Sequence, residues 1–233
     1  MDRSIDLNAD LGEGFPWDVA LLDRVTSASV ACGLHAGDAE VMERTLRLAR
    51  DRGVVMGAHP SFDDRAGFGR VEQDLEADAI RGLVAGQIDT LAGVGEALGV
   101  PIRFVKPHGA LYNQAQRDPS VAGAILKSLA GRGLPILGLP GGEVGRLAAW
   151  HGVAFVGEGF ADRRYRADGR LVARAEPGAI LEDPEEVRAQ VLALVERGVR
   201  TLCIHGDDPR SVALADLVIA TLDGAGVARR AFA

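Results

Sequence analysis

Four of the five histidines in this 233-residue chain stand just past short apolar runs, each beside Gly, Pro or Asp. They are found in Leu34-His35-Ala36-Gly37-Asp38, Ala58-His59-Pro60-Ser61, Lys106-Pro107-His108-Gly109 and Ile204-His205-Gly206-Asp207. Each imidazole alone suits a satisfied structural group as well as one that exchanges protons near neutrality or ligates a divalent ion, but four in equivalent positions point to function. The intervals are 24 residues (35 to 59), 49 (59 to 108) and 97 (108 to 205). These are close to one, two and four units of about 24, the length of one strand, one helix and two loops. The pattern therefore predicts one shared site at the carboxyl ends of repeated strands. His151, after Trp150 at a predicted helix end, reads instead as a surface cap.

Other reactive groups fall at similar places. In Asp6-Leu7-Asn8-Ala9-Asp10-Leu11-Gly12-Glu13, alternation sets Asp6, Asn8 and Asp10 on one side of a strand. Asp6 and Asn8 suit pinning of neighbouring strands as well as ligand binding, whereas Asp10 and Glu13 lie nearer the strand end and are the better candidates for chemistry. Lys106 follows Phe104-Val105 and precedes Pro107. A strand-end ammonium can anchor an anion, offset charge in a transition state, form a Schiff base, or simply pair with a carboxylate such as Asp10. Gly109 to Asn113 would bring Tyr112 to the same mouth. The aperiodic stretch Ser61 to Arg70, with glycines either side of Phe68, suits a lid or an irregular loop equally.

Such groups need a scaffold that returns the chain to the same end many times. Strand-like runs occur at 5–8, 29–32, 54–58, 104–106, 136–139, 154–156 and 201–205, and helical patterns at 39–52, 74–98, 119–130, 142–151, 184–197 and 210–225. Asp38 is placed to cap the first of those helices. The alternation predicts an α/β fold: a parallel (β/α) barrel of about seven strands, residues 1–233 forming one domain. An open doubly wound sheet would gather its polar residues at one switch point, but here they follow almost every strand. No G-x-G-x-x-G follows the first strand and no G-x-x-x-x-G-K-[ST] occurs, and Leu139-Pro140-Gly141-Gly142-Glu143 reads as a turn, with a phosphate contact at a helix N-terminus as the alternative.

Composition narrows the partners. Hydrophobic residues make up 47% and charged residues 25%, the formal net charge is -7, and the pI is near 5.3. That balance gives no basic footprint for nucleic acid or anionic lipid, and no run approaches the roughly 20 apolar residues of a membrane span. Met1-Asp2-Arg3-Ser4-Ile5 has no apolar signal core, so the cytoplasm is the expected compartment. Cys32 and Cys203 lie in apolar runs and are expected to be packed and reduced.

The same blocks carry a resemblance. Asp6 to Glu13, Ala31 to Asp38, Gly57 to Ser61, Gly67 to Arg70, Val105 to Asn113, Glu158 to Arg163 and Ile204 to Asp207 resemble, in order, the characteristic segments of the LamB/YcsF family. The resemblance implies ATP-dependent opening of 5-oxo-L-proline to L-glutamate, with Mg2+ accompanying ATP, in an assembly with two further subunits, B and C. It directs attention to Asp10, His35, Lys106, His205 and Asp207 as catalytic residues. Asn8, Glu13, His59, Arg70, His108 and Tyr112 would then bind substrate, with a protein-bound metal left open. Three other readings compete: a metal-dependent amide hydrolase using Asp10, His35, His59 and His205, a Schiff-base lyase using Lys106, and a non-catalytic substrate-binding component.

Overall fold

The structure, a computed structural model, describes residues 3–174 and 176–233; Met1 and Asp2, part of the segment read above for a signal core, lie outside the described residues. Seven parallel strands close on themselves: β1 (Ser4–Leu11), β2 (Ser27–Ala31), β3 (Val55–His59), β4 (Ile102–Val105), β5 (Ile136–Gly138), β6 (Phe155–Phe160) and β7 (Thr201–Ile204). Closure comes from β1, which pairs with β2 (Asn8↔Ser27 to Leu11↔Val30) on one side and β7 (Asp6↔Thr201 to Ala9↔Ile204) on the other. A two-residue strand β8 (Ala228–Arg229) extends the pairing at the start of β1.

Around the barrel run α1 (Asp18–Leu22), α2 (Ala39–Arg50), α3 (Ala77–Leu98), α4 (Gly109–Ala115), α5 (Pro119–Leu129), α6 (Glu143–Ala148), α7 (Pro184–Glu196) and α8 (Ser211–Gly224). The Asp38 carboxylate accepts a hydrogen bond from Val41 N at 2.9 Å, capping α2 as its sequence implies. α3 buries Ile80, Val84, Ile88 and Leu91, whose spacing of four, four and three keeps them on one face. Each contributes about 1.5–3 kcal/mol on leaving water.

The period of two divides β1 cleanly. Leu7, Ala9 and Leu11 face outward into the helical layer and join the main core. Asp6, Asn8 and Asp10 point inward, all buried. The amino-terminal end of the barrel interior is apolar: Phe104, Leu137 and Val156 pack together with Val55 and Phe232. Gly57 is required there, because a Cβ would collide with the Phe104 ring.

Several elements differ from the sequence reading. Strand β6 runs to Phe160 rather than ending at Val156, since Val156, Glu158 and Phe160 continue the inward alternation that Gly157 and Gly159 obscure. Gly159 takes its place because Leu194 already stands 3.0 Å from where its Cβ would lie. Helices α1 and α4 have no counterpart in the sequence pattern; both are short, α1 forming the connection from β1 to β2 and α4 lying between β4 and α5. α3 begins at Ala77 rather than Asp74, and the 142–151 pattern divides into α6 and one 3-10 turn, Ala149–His151.

Candidate functional site

All the sequence-predicted site residues gather at the carboxyl-terminal mouth or in the barrel interior below it. β1 supplies Asn8 and Asp10, with Glu13 just beyond; His59 ends β3; Lys106 and His108 follow β4; His205 and Asp207 follow β7. His35 comes from the loop after β2 and Arg70 from the loop between β3 and α3. A cavity of about 780 Å³ opens over them, with Asp10, His59, Lys106, His108, Tyr112 and His205 in its wall, a size suited to a small ligand.

At the cavity floor Lys106 is 2% exposed. Its Nζ lies 2.8 Å from Asp10 Oδ1, 2.9 Å from Glu158 Oε1, 3.2 Å from Asn8 Oδ1 and 2.9 Å from Cys203 Sγ. Burial opposes this charge, but Asp10, Cys203 and Glu158 outweigh it and hold Lys106 protonated well above the ordinary lysine range. A Schiff base needs the neutral amine, so these surroundings disfavour that chemistry. Burial likewise works against ionised Asp10, yet His59, Lys106 and His205 pull its carboxyl far below the usual range. Cys203 is buried, as expected, but its sulfur belongs to this polar layer rather than to the outer core. Cys32 is the plainer case: burial pushes its thiol up to about 12, and its thiol donates to Val30 O.

Above the lysine stands a second constellation. Glu13 Oε1 lies 3.3 Å from His35 Nε2, 3.5 Å from His108 Nδ1 and 3.9 Å from His59 Nε2. His59 Nε2 is 2.9 Å from His108 Nδ1, and the His35 and His108 rings stack with centroids 3.9 Å apart. Burial lowers His35 to about 3 and His59 to about 4. Burial, then the charges of Asp10 and Asp207, raises Glu13 well above an ordinary glutamate. These four residues offer donor atoms all within 4.8 Å of one another and could hold a metal ion, as could Asp10, Cys203 and His205.

The loop of 61–70 lies directly on this constellation. Phe68 packs edge-on against His35 (5.6 Å) and His108 (5.4 Å), and its carbonyl accepts a hydrogen bond from His108 Nε2. The following Gly69, at φ +66, leaves no room for a side chain between His108 and His35. Arg70 reaches across to pair with Asp207, whose other oxygen is held by Arg174 at 2.9 Å.

Four participants receive no site role in the sequence reading, although three of them fall in the Glu158 to Arg163 segment of the resemblance. Glu158 grips Lys106 from beneath, while its Oε2 and the buried Tyr112 hydroxyl make no hydrogen bond of good geometry. Burial, then the Glu158 charge, pushes that phenol up. Asp162 Oδ1 stands 3.5 Å from His205 Nδ1, and neither atom makes a hydrogen bond elsewhere. Arg163 is buried in the cavity wall with Nε unpaired. The fourth, Cys203, reads as a packing residue in sequence because its neighbours along the chain are apolar.

The family model described as LamB/YcsF family matches residues 5–233. A Methylococcus capsulatus protein, named as the A subunit of 5-oxoprolinase, is 49% identical over 92% of this chain and 90% of that one. One of the same name from Streptomyces coelicolor is 47% identical over 98% and 100%. Among solved structures, the lactam utilization protein from Thermus thermophilus superimposes with a TM-score of 0.91 at 38% identity, covering 98% of this chain and all of that one. The polysaccharide deacetylase Bc1974 from Bacillus cereus shares the fold, with a TM-score of 0.59 at 11% identity over 99% and 92%.

Proposed function

This chain belongs to the LamB/YcsF family, and from that premise we propose that it is the A component of a 5-oxoprolinase, opening 5-oxo-L-proline to L-glutamate at the expense of ATP together with B and C subunits in the cytoplasm. The observation that carries the reading is near-full-length identity of 46–49% to proteins named as the A component of that enzyme. The absence of a P-loop supports a division of labour in which ATP, with Mg2+, engages a partner or a shared surface. Among the described residues no helix is long and apolar enough to cross a membrane.

The chemistry required is demanding. A lactam carbonyl is a weak electrophile, and transfer of a phosphoryl group to its oxygen makes an imidate-like phosphate whose carbon water attacks. The C–N bond then breaks as nitrogen takes a proton, leaving an acyl phosphate. A second water releases phosphate and glutamate. Lys106, held charged by Asp10 and Glu158, is assigned to the negative charge that develops on the lactam or phosphoryl oxygen. His205, with Asp162 positioned to orient its ring, is assigned to taking the proton of water. Arg163, buried beside the cavity with spare hydrogen-bonding capacity, suits the substrate carboxylate. Asp207 is engaged by two arginines and is assigned to fixing Arg70 and Arg174 rather than to proton transfer.

The test is reconstitution. Mixing this chain with candidate B and C subunits should yield glutamate and ADP from 5-oxoproline, and omitting any one component should abolish both. Robust lactam opening by the single chain with ATP would overturn the dependence on partners, and an inert complete mixture would overturn the activity.

A further inference from the structure

We infer that Glu13, His35, His59 and His108 form a binding site for one divalent transition-metal ion of the zinc class, set into the mouth of the barrel beside Lys106. The argument begins with hydrogen-bond bookkeeping. His59 Nδ1 lies 2.7 Å from Lys106 O, and His108 Nε2 lies 2.9 Å from Phe68 O. A backbone carbonyl only accepts, so each of those nitrogens carries the hydrogen. In neutral rings, His59 Nε2 and His108 Nδ1 are then bare lone pairs, yet they face one another at 2.9 Å. Two lone pairs at hydrogen-bond distance repel unless something electrophilic lies beside them.

A cation resolves the conflict, and four of the six donor separations lie near those it requires, a tilt of the stacked His35 and His108 rings bringing both lone pairs onto the ion. Tetrahedral zinc with ligands at about 2.0–2.1 Å places its donor atoms about 3.3 Å apart. The separations 2.9, 3.3, 3.5 and 3.9 Å scatter around that value. Three imidazole nitrogens and one carboxylate oxygen suit zinc or cobalt rather than the oxygen-loving magnesium or calcium. Behind His59 and His108 the supporting contacts have the form usual for ligating histidines, whose second ring nitrogen donates to a backbone carbonyl and so aims the first at the metal, whereas His35 Nδ1 is buried without such an acceptor.

The donors come from the end of β3 and from the connections after β1, β2 and β4, so one ion would tie this side of the mouth together. His59 and His108 also line the cavity, which puts the ion in reach of a bound oxygen. The inference concerns ion binding and holds whatever the substrate is. Its test reads metal rather than turnover, so it fails or survives independently of the 5-oxoprolinase reading.

The chain purified without chelator from zinc-containing medium should hold one equivalent of zinc by elemental analysis. After stripping and loading with cobalt, it should show visible bands of tetrahedral intensity and no thiolate-to-cobalt charge-transfer band. Replacing both His59 and His108 with alanine should weaken zinc binding about a hundredfold or more, read by competition with a chromophoric chelator. His205→Asn should leave it unchanged. Because the cobalt spectrum is taken on the unaltered chain, misfolding of a variant does not decide the outcome. A thiolate charge-transfer band, or loss of the ion in His205→Asn, would move the ion to Asp10, Cys203 and His205 and overturn the assignment. A chain that binds neither metal would also overturn it, and would leave a shared proton between His59 and His108.

Discussion

Asp6 and Asp10 are the same residue type on the same strand, on the same inward face, and both are buried. Their surroundings diverge. Asp6 accepts from three hydroxyls, Thr26 at 2.6 Å, Ser27 at 2.8 Å and Thr201 at 2.5 Å. Burial dominates and its carboxyl is raised. Asp10 has Ser29 at 2.7 Å and the Lys106 ammonium at 2.8 Å, with His59 Nε2 at 3.6 Å, and it is held ionised. The lower carboxyl stitches β1 to its neighbours with neutral donors. The upper one is half of an ion pair beneath an open cavity. A buried charge partner, rather than a buried acid as such, marks where the barrel stops being scaffold and becomes site.

The largest effect expected from breaking this contrast lies at Lys106. Lys106→Met strands the facing carboxylates and should cost about 3–5 kcal/mol of stability. It should also lower turnover of the assembled enzyme by about two to three orders of magnitude. The double variant Lys106→Met/Asp10→Asn separates the two losses: melting temperature should recover in large part while turnover does not. Recovery of turnover as well would reduce the pair to a structural strut.

Asp10→Asn alone keeps the shape and leaves Lys106 its Glu158 partner, so the fold should persist while turnover falls by about a hundredfold. Asp6→Asn is the matched control. It should cost about 1–3 kcal/mol in denaturant unfolding through a mispaired hydroxyl network, with turnover per folded molecule within a few-fold of the parent. If the two variants exchanged these phenotypes, the distinction between layers would collapse. The smallest effect is expected at Cys203→Ser, where a hydroxyl can still accept from Lys106. Turnover should change by less than about fivefold, under about 1 kcal/mol of activation free energy.

The architecture was legible because its signals are local. Period-two runs, caps such as Asp38 and polar strand ends all act over a few residues, and the repeat of about 24 residues predicts equivalent histidines. The site was legible in position more than in pairing. Sequence order says that Asp10, Lys106 and His205 share a mouth, but the distances among them depend on strands brought together by closure. Glu158 was missed because glycines on either side break the apolar pattern and end the strand too soon. Asp162 and Arg163 were missed because their partners, His205 and the cavity itself, are distant in sequence. The loop of 61–70 carries too little periodicity to show that Phe68 roofs the histidines.

Closure through β1 carries a consequence for synthesis. The hydroxyl of Thr201 that completes the Asp6 cradle lies 195 residues downstream. At about 5–20 residues per second, β1 therefore waits on the order of ten to forty seconds on the ribosome with one edge unclaimed. A bare edge of that kind invites neighbouring nascent chains to add on. The inward row Asp6, Asn8 and Asp10 makes addition of a strand of unrelated sequence unfavourable, because such a strand does not bring the hydroxyls and ammonium that receive the row in the closed barrel.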